Sequence, residues 1–261
     1  MKVATWNVNS VRARLPHVLL WLQEVKPDVL LLQETKSMDD KFPYVDIEAA
    51  GYEVAHYGQP AYNGVAIISR LPLTEIIQGM PTRADDPQAR VLAATIKPAD
   101  KPVRLVCAYV PNGQSVGSDK YLYKLEWLAD FCDYLSDARA RYTRVVAGGD
   151  YNIAPEASDI YDAEAWGEEV LASPPERAAL KRILDVGYAD AHRLFEQPEK
   201  SFSWWDYRAA AFRRNIGVRI DLLLLSADLS KKCVFCAPDI TPRSWERPSD
   251  HAPVVANLLL N

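Results

Sequence analysis

Residues Arg144 to Asn152 read R-V-V-A-G-G-D-Y-N. The short β-branched run predicts a strand. It closes on Gly-Gly and a carboxylate, Asp150, with an amide, Asn152, two residues on. The same arrangement recurs along the chain. Asn7 ends the first strand-like run, Val3 to Asn7. Gln33 and Glu34 end V-L-L-L, and Tyr109 ends R-L-V-C-A-Y. Asp221 lies inside R-I-D-L-L-L-L, and Asp250 and His251 precede A-P-V-V. A carboxylate in a buried strand is costly unless it is paired or binds a metal. Taken singly, each has an ordinary explanation: Asn7, Asp150 and Asn152 as turn formers, Glu34 as a helix cap, His251 as a satisfied core histidine. Six strand ends carrying acid, amide or imidazole together point to one site, because strand-end loops are where such scaffolds display chemistry.

Outward from that stretch, short β-rich runs alternate with helical patterns. Strands are expected at Val3 to Asn7, Val29 to Gln33, Glu53 to Tyr57, Gly64 to Ser69, Val91 to Lys97 and Val103 to Val110. Later ones are expected at Phe202 to Trp205, Arg219 to Leu225 and Pro253 to Leu258. Helices are expected over Leu15 to Lys26, Tyr121 to Ala140 and Pro175 to Val186. The second has Ser118 as N-cap and Leu122, Leu125, Leu128, Phe131, Cys132 and Leu135 on one apolar stripe. Hairpin-like strand pairs with interspersed helices suggest two packed sheets with helices outside, although periodicity alone leaves a doubly wound sheet open.

The bulk numbers bound the function. With 261 residues and 49% hydrophobic content the chain can bury a large core. Nothing resembles a linker or a repeat, so one domain over residues 1–261 is expected. There is no signal-type apolar segment, and the longest apolar runs are too short to span a bilayer. A cytoplasmic protein that does not engage membranes is expected. Four cysteines do not suggest a disulfide framework. Cys233 and Cys236 form a lone C-x-x-C with no histidine nearby, which reads as ordinary core or edge positions. The net charge of −5 is mild evidence against a nucleic-acid binder. A carboxylate-rich metal site beside a basic face would reconcile the two, and local arginine clusters exist.

Two chemistries compete for the Asp250–His251 pair. G-Q-S-V-G, Gly113 to Gly117, fits G-x-S-x-G by letter, and the order Ser115, Asp221, His251 fits a hydrolase triad. A nucleophile elbow, however, needs its serine on a tight strand-to-helix turn. Here Pro111 and Asn112 follow the strand, and Gly117 and Ser118 intervene before the helix. That reading also leaves Asn7, Glu34, Asp150 and Asn152 without a role. The alternative is an oxygen-ligand metal site. Without clustered histidines or cysteines zinc is disfavoured, and carboxylates with amides suit magnesium or manganese, which serve phosphate chemistry.

The ordered set W-N-V-N-S-V-R-A, L-L-Q-E-T-K, G-V-A-I-I-S-R, A-Y-V-P-N, G-G-D-Y-N-I-A-P, S-W-W-D-Y-R, R-I-D and S-D-H-A-P resembles the exonuclease III family of apurinic/apyrimidinic (AP) endonucleases, from residue 2 to about residue 259. The resemblance implies an α/β (α+β) fold: a four-layer αββα sandwich of two packed mixed β-sheets flanked by helices. It implies Mg²⁺-dependent hydrolysis of DNA phosphodiesters by a monomer, with Mn²⁺ as substitute. The substrates would be double-stranded DNA with abasic sites or with blocked or recessed 3′ ends. By position, Glu34 resembles the main metal ligand, with Asn7 beside it and Asp250 helping. Asp150 matches the base for the attacking water, and Asn152 would hold it or the phosphate. His251 would contact a phosphate oxygen with Asp221 behind it, and Tyr109 would face the scissile phosphate. Trp204, Val218 and Ile220 would line a pocket for a base-free sugar. Arg12, Lys36, Arg208 and Arg213 would contact phosphates. Trp205 reads as core. Val218 replaces a tryptophan of animal members, and N-G-Q-S-V-G-S-D lacks an arginine that some relatives insert into DNA. Both differences leave the balance between abasic incision and 3′-end processing open. A catalytically inactive nucleic-acid-binding regulator of the same fold is the alternative.

Overall fold

The computed structural model describes residues 1–260. Twelve strands run in chain order: β1 (Lys2–Asn7), β2 (Val29–Gln33), β3 (Glu53–Tyr57), β4 (Val65–Ser69), β5 (Thr74–Gln78), β6 (Val91–Ile96), β7 (Val103–Tyr109), β8 (Val145–Asp150), β9 (Tyr188–Asp190), β10 (Asp221–Ser226), β11 (Cys233–Pro238) and β12 (Val254–Leu258). The helices are α1 (Val11–Val25), α2 (Tyr44–Ala49), α3 (Asp119–Arg141), α4 (Ala163–Trp166), α5 (Pro174–Asp185) and α6 (Ala227–Ser230), with short 3₁₀ turns between. Two six-stranded mixed sheets form, in the orders β11-β12-β1-β2-β4-β3 and β5-β6-β7-β8-β10-β9.

V-L-L-L is apolar throughout because both faces of its strand are covered. Val29 and Leu31 join the core between the sheets, while Leu30 and Leu32 pack with Trp21 and Leu22 of α1. In β10, Leu223 and Leu225 face the inter-sheet core, and Leu222 and Leu224 face the layer containing Phe131 and Leu135 of α3 and Leu180 and Ile183 of α5. The period-two alternation thus builds the helix–sheet–sheet–helix stack.

Register brings the strand ends together. In the parallel pair β1/β2, Asn7 lies opposite Gln33, and in the parallel pair β7/β8, Tyr109 lies opposite Asp150. Antiparallel β10 sets Asp221 opposite Asp150. The Gly-Gly before Asp150 is a packing requirement: a Cβ on Gly149 would lie 1.8 Å from the Ala108 carbonyl oxygen.

Several expectations need correction. Phe202 to Trp205 is not a strand; Trp204 makes only isolated bridges, to Val218 and to His251. Asp221 opens β10 rather than lying inside it. The first helix starts at Val11, capped by Ser10, and keeps Pro16 inside it. Leu122 is exposed, and the buried face of α3 instead uses Tyr121, Lys124 and Trp127 with Leu128, Phe131 and Leu135. Strands β5, β9 and β11 had no expectation. Their sequences are fully exposed, very short, or at a bulged edge, so no clean alternation marks them. Cys233 and Cys236 sit on β11 as free thiols. Ser118 caps α3 by accepting from the Tyr121 amide.

Candidate active site

Asp150, Asp221 and His251 converge, fully buried, from β8, β10 and the turn before β12. His251 Nδ1 lies 2.9 and 3.1 Å from the two Asp221 oxygens, and its Nε2 is 3.8 Å from Asp150 Oδ2. Ser203 Oγ donates to Asp221 Oδ2 at 2.6 Å and accepts from the Ile220 and Asp221 amides. This fixes the carboxylate that fixes the ring. Ser249 Oγ bridges the Asn7 carbonyl and the His251 amide, tying the last turn to β1.

A second group lies alongside. Asn7 Nδ2 donates to Glu34 Oε1 at 2.9 Å and to Asp150 Oδ2 at 3.0 Å. Tyr109 Oη donates to Glu34 Oε1 at 2.9 Å, and Lys36 Nζ lies 2.8 Å from Glu34 Oε2. Asn9 links Lys36 to Asp250, accepting from Nζ and donating to Asp250 Oδ1. Trp204 Nε1 donates to Asp250 Oδ2 at 3.1 Å. Asn152 donates its backbone N–H to Asp150 Oδ1 at 2.9 Å and takes a hydrogen bond from Asn112. Asn9, Glu34, Lys36 and Asn152 all hold positive φ between 46° and 49°. Such conformations cost energy for residues other than glycine and gather where a site dictates geometry.

The electrostatics follow from burial with excess negative charge. Burial pushes Asp150 up, and Asp221 and Glu34 add to this against the pull of His251, bringing its pKa to about 7. Burial would lower His251, but Asp221 and Asp150 outweigh it and raise the imidazole to about 10. Burial also works to raise Glu34, yet hydrogen bonds from Asn7 and Lys36 hold it below the usual carboxylate range. Tyr109 is pushed well above its ordinary value by burial, Glu34 and Asp150.

Asp150, Asp221 and His251 offer ligand atoms within 4.8 Å of one another, a spacing compatible with a metal ion. The His251 nitrogen toward Asp221 is already engaged, and a cationic ring repels a cation. The Glu34 side fits better. Four carboxylates (Glu34, Asp150, Asp221, Asp250) face Lys36, His251 and, beside Asp250, Arg243, which leaves negative charge in excess. The oxygen donors suit a hard divalent ion.

The substrate-facing candidates divide. Trp204 is half-buried and lines a cavity of about 420 Å³ with Val218, Ile160, Tyr161 and Trp166. Ile220 is buried behind it, with Ala154, Ile160 and Leu171. Trp205 is core. Arg12 and Arg213 are exposed, and Arg208 is exposed but paired with Asp206 at 2.7 Å. Lys36 is part of the Glu34 network rather than a free surface cation. Ser115 is exposed on its loop, with its amide bonded to the Gly113 carbonyl, so it is no elbow serine. Asn9, Asn112, Ser203 and Ser249 were not singled out from sequence. Each lies in or beside a stretch that was (W-N-V-N, A-Y-V-P-N, S-W-W, S-D-H), so their only signal was position.

Residues 4–251 match the Endonuclease/Exonuclease/phosphatase family. The chain is 36% identical to exodeoxyribonuclease III of Haemophilus influenzae over 98% of this chain and 99% of that protein. Among solved structures, the 3′ phosphatase NExo from Neisseria bound to product DNA hairpin matches with TM-score 0.96 and 40% identity, covering both chains fully. An AP endonuclease from Archaeoglobus fulgidus matches with TM-score 0.93 and 37% identity, also over both full chains.

Proposed function

The chain belongs to the endonuclease/exonuclease/phosphatase family as an exodeoxyribonuclease III-type DNA-repair hydrolase, and from that premise we propose a mechanism and a substrate. The substrate is double-stranded DNA with an abasic site or a blocked or recessed 3′ end, cut with water to leave a 3′-hydroxyl. The observation that carries this is His251, gripped by Asp221 through Nδ1, with Nε2 facing Asp150 across 3.8 Å. A base and a charged donor lie side by side, as attack on a phosphate beside them would require.

Asp150 is the general base. Its pKa of about 7 lets the carboxylate take a proton from water near neutral pH. The Asn152 N–H holds Oδ1 and the Asn7 amide orients Oδ2. His251 stays protonated at that pH and presents Nε2–H to a non-bridging phosphate oxygen, while Asp221 holds the ring. The Tyr109 phenol, neutral at any physiological pH, donates its one O–H to Glu34 Oε1 and would become a donor to the phosphate by turning from that oxygen. Preformed donors of this kind stabilise the charge that grows in the transition state. Glu34, with Asn7 and Asp250, would hold Mg²⁺, with Mn²⁺ as substitute. The ion would neutralise phosphate charge and polarise the phosphoryl group. Trp204 and Val218 would take the sugar of a flipped nucleotide, with Ile220 packed behind them rather than lining the pocket. Arg12, Arg208 and Arg213 would contact flanking phosphates without reading sequence.

The test uses two labelled duplexes, one with an abasic-site analogue and one undamaged with a recessed 3′ end, each with Mg²⁺ and with EDTA. Mg²⁺-dependent incision beside the analogue establishes AP endonuclease activity. Stepwise shortening without incision makes the protein a 3′-end processing enzyme. No change in either duplex with Mg²⁺ sinks the enzyme reading in favour of an inactive DNA-binding protein.

A further inference from the structure

Beneath the Asp150 turn lies an ion pair that the chemistry above does not use. Lys124, on the buried face of α3, and Glu176, in the first turn of α5, are both 0% exposed and bonded to each other. Their neighbours in this layer are apolar: Trp127, Leu128, Ala179 and Leu180. An apolar pair would be the cheaper filling, since desolvating two charges often cancels their attraction. Their other partners indicate what the pair does instead.

Lys124 Nζ donates to Glu176, to the Asn152 carbonyl at 2.6 Å and to the Asn112 carbonyl at 3.1 Å. All three ammonium donors are spent. Glu176 accepts from the Leu171 amide at 3.1 Å and from the Ser173 amide and hydroxyl at 3.1 and 2.6 Å. Leu171 in turn accepts the Ala154 amide at 2.7 Å. Three loops therefore meet on one pair: those after β7 and β8, and the one entering α5. Gly113 lets the first loop close over the lysine stem, because a Cβ there would lie 3.0 Å from Lys124 Cδ.

The loops held this way carry the reacting groups. Asn152 has a left-handed backbone, φ 49°, and such a residue stays put only when its surroundings over-determine it. Its amide N–H fixes Asp150 Oδ1, and its side chain is clamped between Asn112 Nδ2 and the Val110 carbonyl. Lys124 holds the Asn152 carbonyl, in the peptide after this residue, while Asp150 is held by the N–H of the peptide before it; freeing the carbonyl frees the φ and ψ of Asn152 that join the two, and the N–H turns away from Asp150 Oδ1.

We propose that Lys124 and Glu176 are positioning residues for the reaction, holding the Asn152 peptide and through it the Asp150 carboxylate in attack geometry. The inference rests on the role of Asp150 given above. It predicts an effect on turnover that is separable from stability.

The decisive variant is the double replacement Lys124→Met with Glu176→Met, which exchanges the ion pair for apolar side chains of similar length. Steady-state kinetics on the abasic duplex and urea unfolding are measured on the same preparation. The expected result is a lowered midpoint, since the Asn112 and Asn152 carbonyls and the Leu171 and Ser173 amides lose buried partners, with KM unchanged and kcat per folded molecule down about 100-fold, the scale of a misplacement near 1 Å. A merely structural pair would lower the unfolding midpoint and leave kcat per folded molecule at the parent value, and that result overturns the proposal. Should the double variant not fold, Lys124→Gln and Lys124→Met, each combined with Glu176→Gln so that no buried charge is left alone, decide at low temperature. Glutamine keeps a donor to the Asn152 carbonyl and should keep kcat per folded molecule, whereas methionine should lose it; equal kcat overturns the proposal. If the parent itself leaves both duplexes intact with Mg²⁺, the nuclease reading falls, and this inference with it. If the parent cuts and the methionine pair cuts equally well, only this inference falls.

Discussion

Two buried charge clusters meet at the start of β10, two residues apart in sequence. Arg219 reaches Asp159 at 2.6 and 3.2 Å and Asp190 at 2.8 Å, and Arg193 reaches Asp159 at 2.6 Å. Two guanidiniums thus answer two carboxylates. Asp221 belongs to the other cluster, where Glu34, Asp150, Asp221 and Asp250 outnumber Lys36, His251 and Arg243. The first is neutralised within the protein and fastens the β9 region and the loop after β8 to β10. The second keeps surplus negative charge, which adds to burial in pushing Asp150 up to about 7 and overcomes burial in raising His251 to about 10. Of these two clusters the balanced one is scaffold, and the unbalanced one is poised for a cation and for proton transfer.

The largest expected break is on the unbalanced side. Asp150→Asn should lower kcat by roughly 10³- to 10⁴-fold, the upper part of the range for a general base. Its thermal midpoint should hold or rise, because a crowded buried charge is removed. A variant within tenfold of the parent rate would refute the role of Asp150. His251→Gln should cost roughly 10²- to 10³-fold, as for loss of one transition-state donor.

On the balanced side the effect should move from rate to stability. Arg219→Met strands Asp190 and leaves Asp159 to Arg193 alone, and it should cost roughly 3–5 kcal/mol in urea unfolding, as for other broken buried pairs. The fraction that remains folded should keep parent kcat. A fall in kcat per folded molecule would show that the two clusters are not separable.

Asp221→Asn sharpens the contrast through pH. His251 is cationic below its pKa of about 10 and loses that charge above it. Removing the Asp221 anion lowers the value, so the alkaline limb of kcat/KM should move down by roughly one to three pH units. An unmoved limb would separate His251 from the observed titration.

The smallest effect belongs to His192, beside the balanced cluster. Burial, with Arg219 and Arg193, depresses it to about 3 from 6.5. The unfolded chain therefore takes up this proton first as pH falls. The stability His192 contributes is complete above pH 6.5 and drains as pH drops toward 3, by about 1 kcal/mol at pH 5.5. His192→Gln should flatten that part of the stability profile between pH 7 and 5; a profile identical to the parent's would remove His192 as its source.

Much of this site was legible before folding because strand ends are local events. V-L-L-L-Q, A-Y and A-G-G-D each announce a strand and its polar terminus, and register then needs only neighbouring pairings to align Asn7 with Gln33 and Tyr109 with Asp150. Trp204 was misread as part of a strand, because its apolar neighbours pack against a loop rather than a ladder. Lys124 was not singled out from the sequence. Its spacing in α3 matches the buried face, but nothing within its own helix signals a carboxylate arriving from α5, 52 residues away.

By itself the sequence determined the two-faced strands, the polar groups that close them, and the order of motifs that places the chain in its family. Each of these is carried by residues close together along the chain. Tertiary structure alone decided which acids are neutralised and which are left in excess. Arg219 and Asp221 stand two positions apart, yet one finds Asp159 and Asp190 while the other finds His251. A charge in a folded protein takes its character from what packs against it, and for these residues every partner comes from a distant part of the chain.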